Sequence, residues 1–113
     1  MADALLHTRL AETFQALADA NRLRILDRLR RSEASGVELA ALLAISPAAV
    51  SKHLATLRRV GIVEGRRDGS TVWYRIADES VFQLCDLLCD RAARRAREEH
   101  RAIQSAESRR KRA

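Results

Sequence analysis

Small, polar and basic side chains share one face of a predicted helix between positions 46 and 59. Ser46 is a good N-cap because its oxygen can accept an unpaired backbone N–H, and Pro47 suits the first helical position because it has no N–H. Val50, Leu54 and Leu57 recur at spacings of four and three, which places them on one buried stripe. The other side chains could therefore approach the base edges and phosphates of a DNA major groove. We expect these residues to enter the groove: Ser46, Ala48, Ala49, Ser51, Lys52 and His53, with Thr56 and Arg59 towards the DNA backbone.

A basic β-hairpin is predicted directly after this helix. Gly61 is a suitable left-handed helix stop, and two β-prone runs, 62–67 and 71–76, surround a polar turn at Asp68-Gly69. Arginines give the hairpin positive charge and hydroxyls add neutral phosphate donors. The hairpin residues that we expect to hold flanking phosphates or the minor groove are Arg66, Arg67, Ser70 and Thr71, and Arg75 adds to its charge.

Further apolar stripes must position these two pieces. Positions 37, 39, 40, 42 and 43 predict a compact helix that begins after Gly36 and lies two residues before Ser46, so the pair forms a helix-turn-helix. The predicted fold is mainly α with a small β-hairpin wing (α+β), a winged helix-turn-helix of order α-α-α-α-β-β-α. Apolar stripes at the two chain ends exceed what one small core needs: Leu5, Leu6, Leu10, Phe14 and Leu17, and Val81, Leu84, Cys85, Leu88, Cys89, Ala92 and Ala96.

The order and spacing of three segments resemble the ArsR/SmtB family of bacterial winged-helix repressors. Residues 16–26 resemble the family's second-helix entry, residues 50–54 its recognition-helix core, and residues 61–74 its wing. The resemblance implies a homodimer, joined through its first and last helices, that binds double-stranded operator DNA near its own promoter. It also implies release from the operator when an inducer binds, with the two recognition helices held about one DNA turn apart.

Composition agrees with a small regulator of this kind. The 113 residues are 47% hydrophobic, which predicts one winged helix-turn-helix domain over residues 1–104, followed by a basic, disordered tail over 105–113. The net charge of +6, of which the tail supplies +3, favours an anionic partner. We find no apolar run that could span a bilayer and no signal-peptide pattern, so we expect a cytoplasmic protein with no membrane partner and reduced thiols.

The metal sites implied by the resemblance are mostly missing. Metal sensors of this family often carry cysteines on the helix before the recognition helix, where this chain has Ser35 and Val37. A second family site uses carboxylates and histidines of the last helix. The matching residues here are Asp78, Ser80, Arg91 and Arg94, of which only Asp78 can bind a metal. We therefore expect no zinc, nickel or cobalt sensing at that site.

Cys85 and Cys89 are the remaining candidates for an inducer site. Their i, i+4 spacing puts the Cβ atoms roughly 5 to 6 Å apart on a helix, against about 3.8 Å in a disulfide, so an intrahelical disulfide would distort the helix. Two thiolates can bridge a soft ion instead, with a third ligand from the partner or solvent. The candidates are As(III), which the family resemblance implies, and Sb(III), Cd(II) and Pb(II). Three other roles remain open: cysteines that only pack as small hydrophobes, redox sensing through an intersubunit disulfide, and a small organic inducer.

Functions of other classes find less support in the chain. It has no glycine-rich phosphate loop and no arrangement of nucleophile and base, and Asp86 and Asp90 flank the thiol pair, so we expect no enzyme. The charge of the tail alone could drive DNA binding, and a winged domain could instead bind only protein. We expect Trp73 and Tyr74 to anchor the wing rather than stack on bases.

Overall fold

The computed structural model describes residues 3–112, which divide between Glu79 and Ser80 into two compact units. The first unit contains every element but the last, and the second unit is a single helix. The elements in chain order are α1 (Ala4–Leu17), α2 (Ala20–Leu29), β1 (Ala34–Ser35), α3 (Gly36–Leu43), α4 (Pro47–Arg59), β2 (Val63–Asp68), β3 (Thr71–Ile76) and α5 (Ser80–Arg112). The predicted winged helix-turn-helix is confirmed, with the short strand β1 added between the second and third helices.

A polar side chain caps the N-terminus of each helix in the first unit. Asp19 accepts hydrogen bonds from the backbone N–H groups of Asn21 and Arg22, at 2.9 and 3.1 Å, and so starts α2. Ser35 and Glu38 form a capping box at α3. The predicted start of α4 is confirmed, because Ser46 accepts from the N–H of Ala49 at 3.1 Å.

The core of the first unit lies between α2, α3, α4 and the sheet. Its least exposed large side chains are Ile25, Leu39, Val50, Leu54 and Leu57. The last three form the predicted stripe of α4, so burial of that stripe leaves the opposite side of the helix in water.

The turn between α3 and α4 depends on a left-handed residue. Ala44 ends α3 with φ 55°, the only positive φ among the described residues other than glycine. Its Cβ makes this conformation costly, by about 1–2 kcal/mol.

No single described helix is long and apolar enough to cross a membrane. The pair α3 and α4 reaches that length and composition only together, and the two helices are bent by 111°.

The three strands form an antiparallel sheet in the order β1-β3-β2. Asp68 pairs with Thr71, so the hairpin loop is Gly69 and Ser70, one residue later than predicted. Gly69 has φ +64°, which suits the first position of a type II′ turn. Gly65 lies opposite Tyr74, and a Cβ there would stand 3.2 Å from Tyr74 Cε1, so a larger residue would press on the tyrosine ring.

The last helix is longer than the sequence analysis expected. Residues 105–112, predicted to be a disordered tail, continue α5 to Arg112, and Ala113 lies outside the described residues together with residues 1 and 2 of the predicted domain. The physical reason is composition, since this stretch has no glycine or proline to stop a helix and arginine, lysine, glutamate and alanine all favour one.

Candidate nucleic-acid interface

One face of α4 is exposed along the whole helix. It consists of small side chains near the N-terminus and basic side chains beyond them, at helical spacings of three and four. We call this set the outer face: Ala48, Ser51, Lys52, Ala55 and Arg59. Ala55 was missing from the sequence prediction, although its place opposite the Val50–Leu54–Leu57 stripe follows from the same periodicity. The face could approach a groove closely at the alanines and donate hydrogen bonds from Ser51, Lys52 and Arg59.

Three further predicted residues of this helix and its cap are partly engaged within the protein. The Ser46 hydroxyl caps the helix, and the Thr56 hydroxyl donates to the backbone carbonyl of Lys52 at 3.2 Å. Ala49 and Thr56 are half-buried. Ser46 is exposed and keeps hydrogen-bonding capacity for a phosphate, while Ala49 and Thr56 lie at the edges of the outer face.

His53 lies away from the outer face, contrary to the prediction that it enters the groove. Its side chain is 18% exposed, with Nδ1 at 3.2 Å from Arg22 Nη1 and 4.0 Å from Asp19 Oδ1. Because a guanidinium can only donate, Nδ1 must accept in this hydrogen bond. His53 lies inside because position 53 is next to the buried stripe, on the side of α4 that faces the N-terminus of α2.

Arg22 is a structural residue that the sequence analysis did not single out. Its Nε donates to the backbone carbonyl of Ala16 at 2.6 Å and its Nη2 to that of Gln15 at 3.1 Å. Through these bonds and His53, one side chain joins the end of α1, the start of α2 and the side of α4. No local sequence signal predicts such contacts, since the partner His53 is 31 residues away.

Asp19 completes this cluster at the start of α2. The backbone N–H of Arg22 lowers the pKa of the Asp19 carboxyl below its ordinary value, and partial desolvation opposes it. The Arg22 guanidinium and the backbone N–H of Asn21 also lower this pKa. The carboxylate form is therefore the one that the fold stabilises.

The two neighbouring wing arginines point to opposite faces of the hairpin, because successive strand residues alternate. Arg66 lies opposite Trp73 and forms an ion pair with Glu33, Nη2 to Oε2 at 3.0 Å. Arg67 lies opposite Val72 and is exposed. The prediction placed both on one DNA-binding surface, whereas the structure leaves Arg67 available and gives Arg66 an internal partner.

The remaining hairpin residues differ in their surroundings. Arg75 is paired with Glu64 across the strands. Ser70 at the loop is exposed and Thr71 is half-buried. Trp73 and Tyr74 are half-buried, and the packing of Tyr74 against Gly65 and Gly36 agrees with an anchoring role. The part of the wing open to a phosphate is thus its tip, with Arg67 and Ser70.

The predicted thiol pair lies in the second unit. Cys85 is half-buried and Cys89 exposed, one helical turn apart on α5. Within residues 3–112, no three His, Cys, Asp or Glu side chains are grouped so that they could hold a metal ion. The two sulfurs could therefore supply only part of a coordination shell.

The sequence of this chain is similar to those of known bacterial transcriptional regulators. A family model described as "Bacterial regulatory protein, arsR family" matches residues 19–65. The transcriptional repressor SmtB homolog of Synechocystis is 43% identical over 76 residues, covering 67% of this chain and 58% of its own length, so the chain spans less than two thirds of that relative. The transcriptional activator HlyU of Vibrio cholerae is 40% identical over 74 residues, covering 66% of this chain and 68% of HlyU.

A solved structure agrees over a larger share of the chain. The solution NMR structure of the homodimeric winged helix-turn-helix DNA-binding domain Mb0332 from Mycobacterium bovis, a possible ArsR-family transcriptional regulator, superposes with a TM-score of 0.74. It is 34% identical and covers 85% of this chain and 94% of its own.

Proposed function

The chain belongs to the ArsR family of bacterial regulatory proteins, and we propose from this that it is a homodimeric transcriptional regulator that binds operator DNA through α4 and the hairpin β2–β3. The observation that carries the proposal is the outer face of α4, exposed from end to end while the opposite stripe is among the most deeply buried parts of the core. No catalytic role is proposed, since the family consists of DNA-binding regulators.

In this proposal, the outer face enters the major groove. Ala48 and Ala55 allow close approach, Ser51 and Lys52 contact bases or phosphates, and Arg59 contacts the DNA backbone. Ser46, Ala49 and Thr56 stand at the margins of this surface.

The hairpin holds the flanking phosphates or the minor groove. Arg67, Ser70 and Thr71 contribute from the tip, and Arg66 contributes when it leaves Glu33. His53 supports the recognition helix from inside through Arg22.

The apolar surface of α1 supports dimerisation. Leu5, Leu6 and Phe14 are large apolar side chains with 44–61% of their surface exposed, and Leu6 and Phe14, eight residues apart, lie on the same side of α1. This exposure is costly for a chain that stays alone in water. On α5, Leu87 and Leu88 are exposed as well. A second copy that covers these residues would place two recognition helices on the two halves of an imperfect palindrome.

The regulatory step that we propose is release from the operator when an inducer binds, as for a repressor acting in the cytoplasm. Cys85 and Cys89 fit a thiophilic ion in chemistry and spacing, with the third ligand from the second copy or from solvent. A shift of the two protomers would then change half-site spacing, with a coupling of about 1–3 kcal/mol. Oxidation to an intersubunit disulfide and a small organic inducer are the competing mechanisms.

The DNA-binding proposal is tested by operator affinity. An operator selected from a random duplex library would be titrated with the wild type, Lys52→Ala and the matched control Arg31→Ala, which removes one exposed charge from the turn after α2. We expect Lys52→Ala to weaken binding at least fivefold, about the smallest effect of a lost base contact, while Arg31→Ala and the thermal midpoints change little. Equal affinity of the wild type and Lys52→Ala would show that Lys52 does not contact the operator.

The inducer proposal needs a separate titration. The reduced protein on its operator would be exposed to As(III), Sb(III), Cd(II) or Pb(II), beside a Cys85→Ser/Cys89→Ser variant. Release of the wild type alone by one ion supports the thiol pair as the sensor. Indifference to every ion would overturn that part of the proposal and direct the search to oxidants and organic ligands.

A further inference from the structure

The C-terminal half of α5 carries a straight line of basic and hydroxyl side chains. Its members follow one another at spacings of 3, 4, 4, 3 and 4, which places them on one face of the helix. We call this set the basic stripe: Arg94, Arg97, Arg101, Ser105, Ser108 and Arg112. All six residues are exposed.

The net charge of the protein is concentrated in this half of the helix. Residues 91–112 contain nine arginines and lysines and three glutamates, a formal charge of +6 that equals the charge of the whole chain. Residues 1–90 are therefore neutral overall, although they contain the outer face of α4 and the hairpin. Taken as whole elements, α5 carries a net charge of +4 and residues 1–79 carry +2, so α5 supplies the larger part of the long-range attraction for a polyanion.

The arginines of the stripe form no ion pair in the part of the chain that the structure describes. In residues 91–112 the one ion pair is Arg95–Glu99 at 3.9 Å, and neither residue belongs to the stripe. Glu107 lies on another side of the helix, and Glu98 lies only at the edge of the stripe. The stripe thus presents four guanidinium groups and two hydroxyls, which are groups that hydrogen-bond to phosphate.

Length and composition favour one kind of polyanion. From Arg94 to Arg112 the helix rises about 27 Å, at 1.5 Å per residue, which is most of one turn of duplex DNA. Beyond Phe82 the helix has no Phe, Tyr or Trp, the side chains on which unpaired bases stack best, and His100 is its one remaining aromatic ring. Ile103 is the one large apolar residue in 91–112, too little to anchor a helix in a bilayer surface.

We propose that the basic stripe is a second DNA-binding surface, which contacts the phosphate backbone of duplex DNA without regard to sequence. It differs from the surface proposed above, whose contacts include base edges and which lies in the first unit, with a net charge of +2. The stripe supplies most of the salt-dependent affinity, and the outer face of α4 supplies the choice of site.

The test compares two triple variants of the full chain that remove the same charge from the same part of the helix. Arg97→Gln/Arg101→Gln/Arg112→Gln removes it from the stripe, and Arg95→Gln/Arg110→Gln/Lys111→Gln removes it from other faces. Kd for a non-operator duplex would be measured by fluorescence anisotropy at two NaCl concentrations that differ fourfold, about 50 and 200 mM, with circular dichroism as the check on helicity.

Three phosphate contacts contribute about 2.7 to the slope of log Kd against log salt concentration. When the salt concentration rises fourfold, the Kd of the wild type should therefore increase by a factor about 40 times larger than the Kd of the stripe variant, counted per bound protomer. The control variant should keep most of the wild-type slope. Equal loss in both variants, or loss in neither, would overturn the proposal.

Two further readouts separate a lipid surface from DNA and the stripe from α4. Binding to phosphatidylserine vesicles that is abolished by the stripe variant, with DNA binding intact, would reassign the stripe to a lipid surface and overturn the proposal. The Lys52→Ala effect on the operator is independent of this experiment, so failure of the stripe leaves the function of α4 standing and failure of α4 leaves the stripe standing.

Discussion

Glu33 competes with DNA for Arg66, and its removal should tighten operator binding. The Glu33 carboxylate lies 3.0 Å from the Arg66 guanidinium, and the two side chains are 41% and 58% exposed. In the proposed complex, Arg66 either leaves this partner or brings a carboxylate close to a phosphate, and both cost free energy. Glu33→Gln keeps the size and polarity of the side chain and removes its charge.

The size of the effect follows from the exposure of the pair. Exposed ion pairs are worth about 0.2–1 kcal/mol. A homodimer on a palindrome breaks two of them, so Glu33→Gln should gain about 0.4–2 kcal/mol. Since about 1.4 kcal/mol is a factor of ten in Kd, the operator should bind roughly 2- to 25-fold more tightly.

The assay is anisotropy of a labelled operator duplex at fixed salt, with Glu64→Gln as the matched control. Glu64 is the partner of Arg75 on the same hairpin, so this control removes an equal charge without touching Arg66. We expect the gain to disappear when Glu33→Gln is combined with Arg66→Gln. Weaker binding by Glu33→Gln would refute the competition, and a full gain without Arg66 would show that only the overall charge matters.

Two further predictions concern the parts of the fold that hold α4. Ala44→Gly should raise the free energy of unfolding by roughly 0.5–1 kcal/mol. Glycine removes the left-handed strain of about 1–2 kcal/mol, and the greater entropy of the unfolded chain offsets part of this gain. Urea denaturation measures the difference, and a variant less stable than the wild type would contradict the prediction. Asp19→Asn should keep the N-cap but lose the charged form that the fold favours. Because the folded pKa of Asp19 is lowered, its contribution is present above the unfolded pKa and disappears as pH falls through the folded pKa. The urea midpoints of the two proteins should therefore differ most near neutral pH and converge in acid, and a gap that persists unchanged in acid would exclude the carboxylate as its cause.

Local rules were enough to predict most of the winged helix-turn-helix. Ser46 and Pro47 start α4, and Gly69 turns the hairpin, because each property belongs to one residue and its near neighbours. The two-residue strand β1 has no such signal. Its existence depends on pairing with Tyr74 and Trp73, far along the chain.

The candidate site was predictable only where periodicity decides it. The stripe of Val50, Leu54 and Leu57 decides which side of α4 is exposed. The same helical periodicity places Ala55 on that exposed side. His53 lies beside that stripe, where the outcome depends on Arg22. Arg66 was predicted to contact phosphate, but it forms an ion pair with Glu33. The sequence could not indicate this pair because Glu33 is distant along the chain and close in space.

The division of charge along the chain separates the tasks of the two proposed surfaces. The unit that carries the outer face, residues 1–79, contains twelve basic and ten acidic residues, a net charge of +2, whereas α5 carries +4. A face of alanines, one serine and two cations must then act at short range, where a wrong base is rejected by poor fit. Long-range attraction, which cannot distinguish sequences, comes mainly from a different helix. Separation of the two effects allows affinity to change through α5 without any change in the bases that α4 selects.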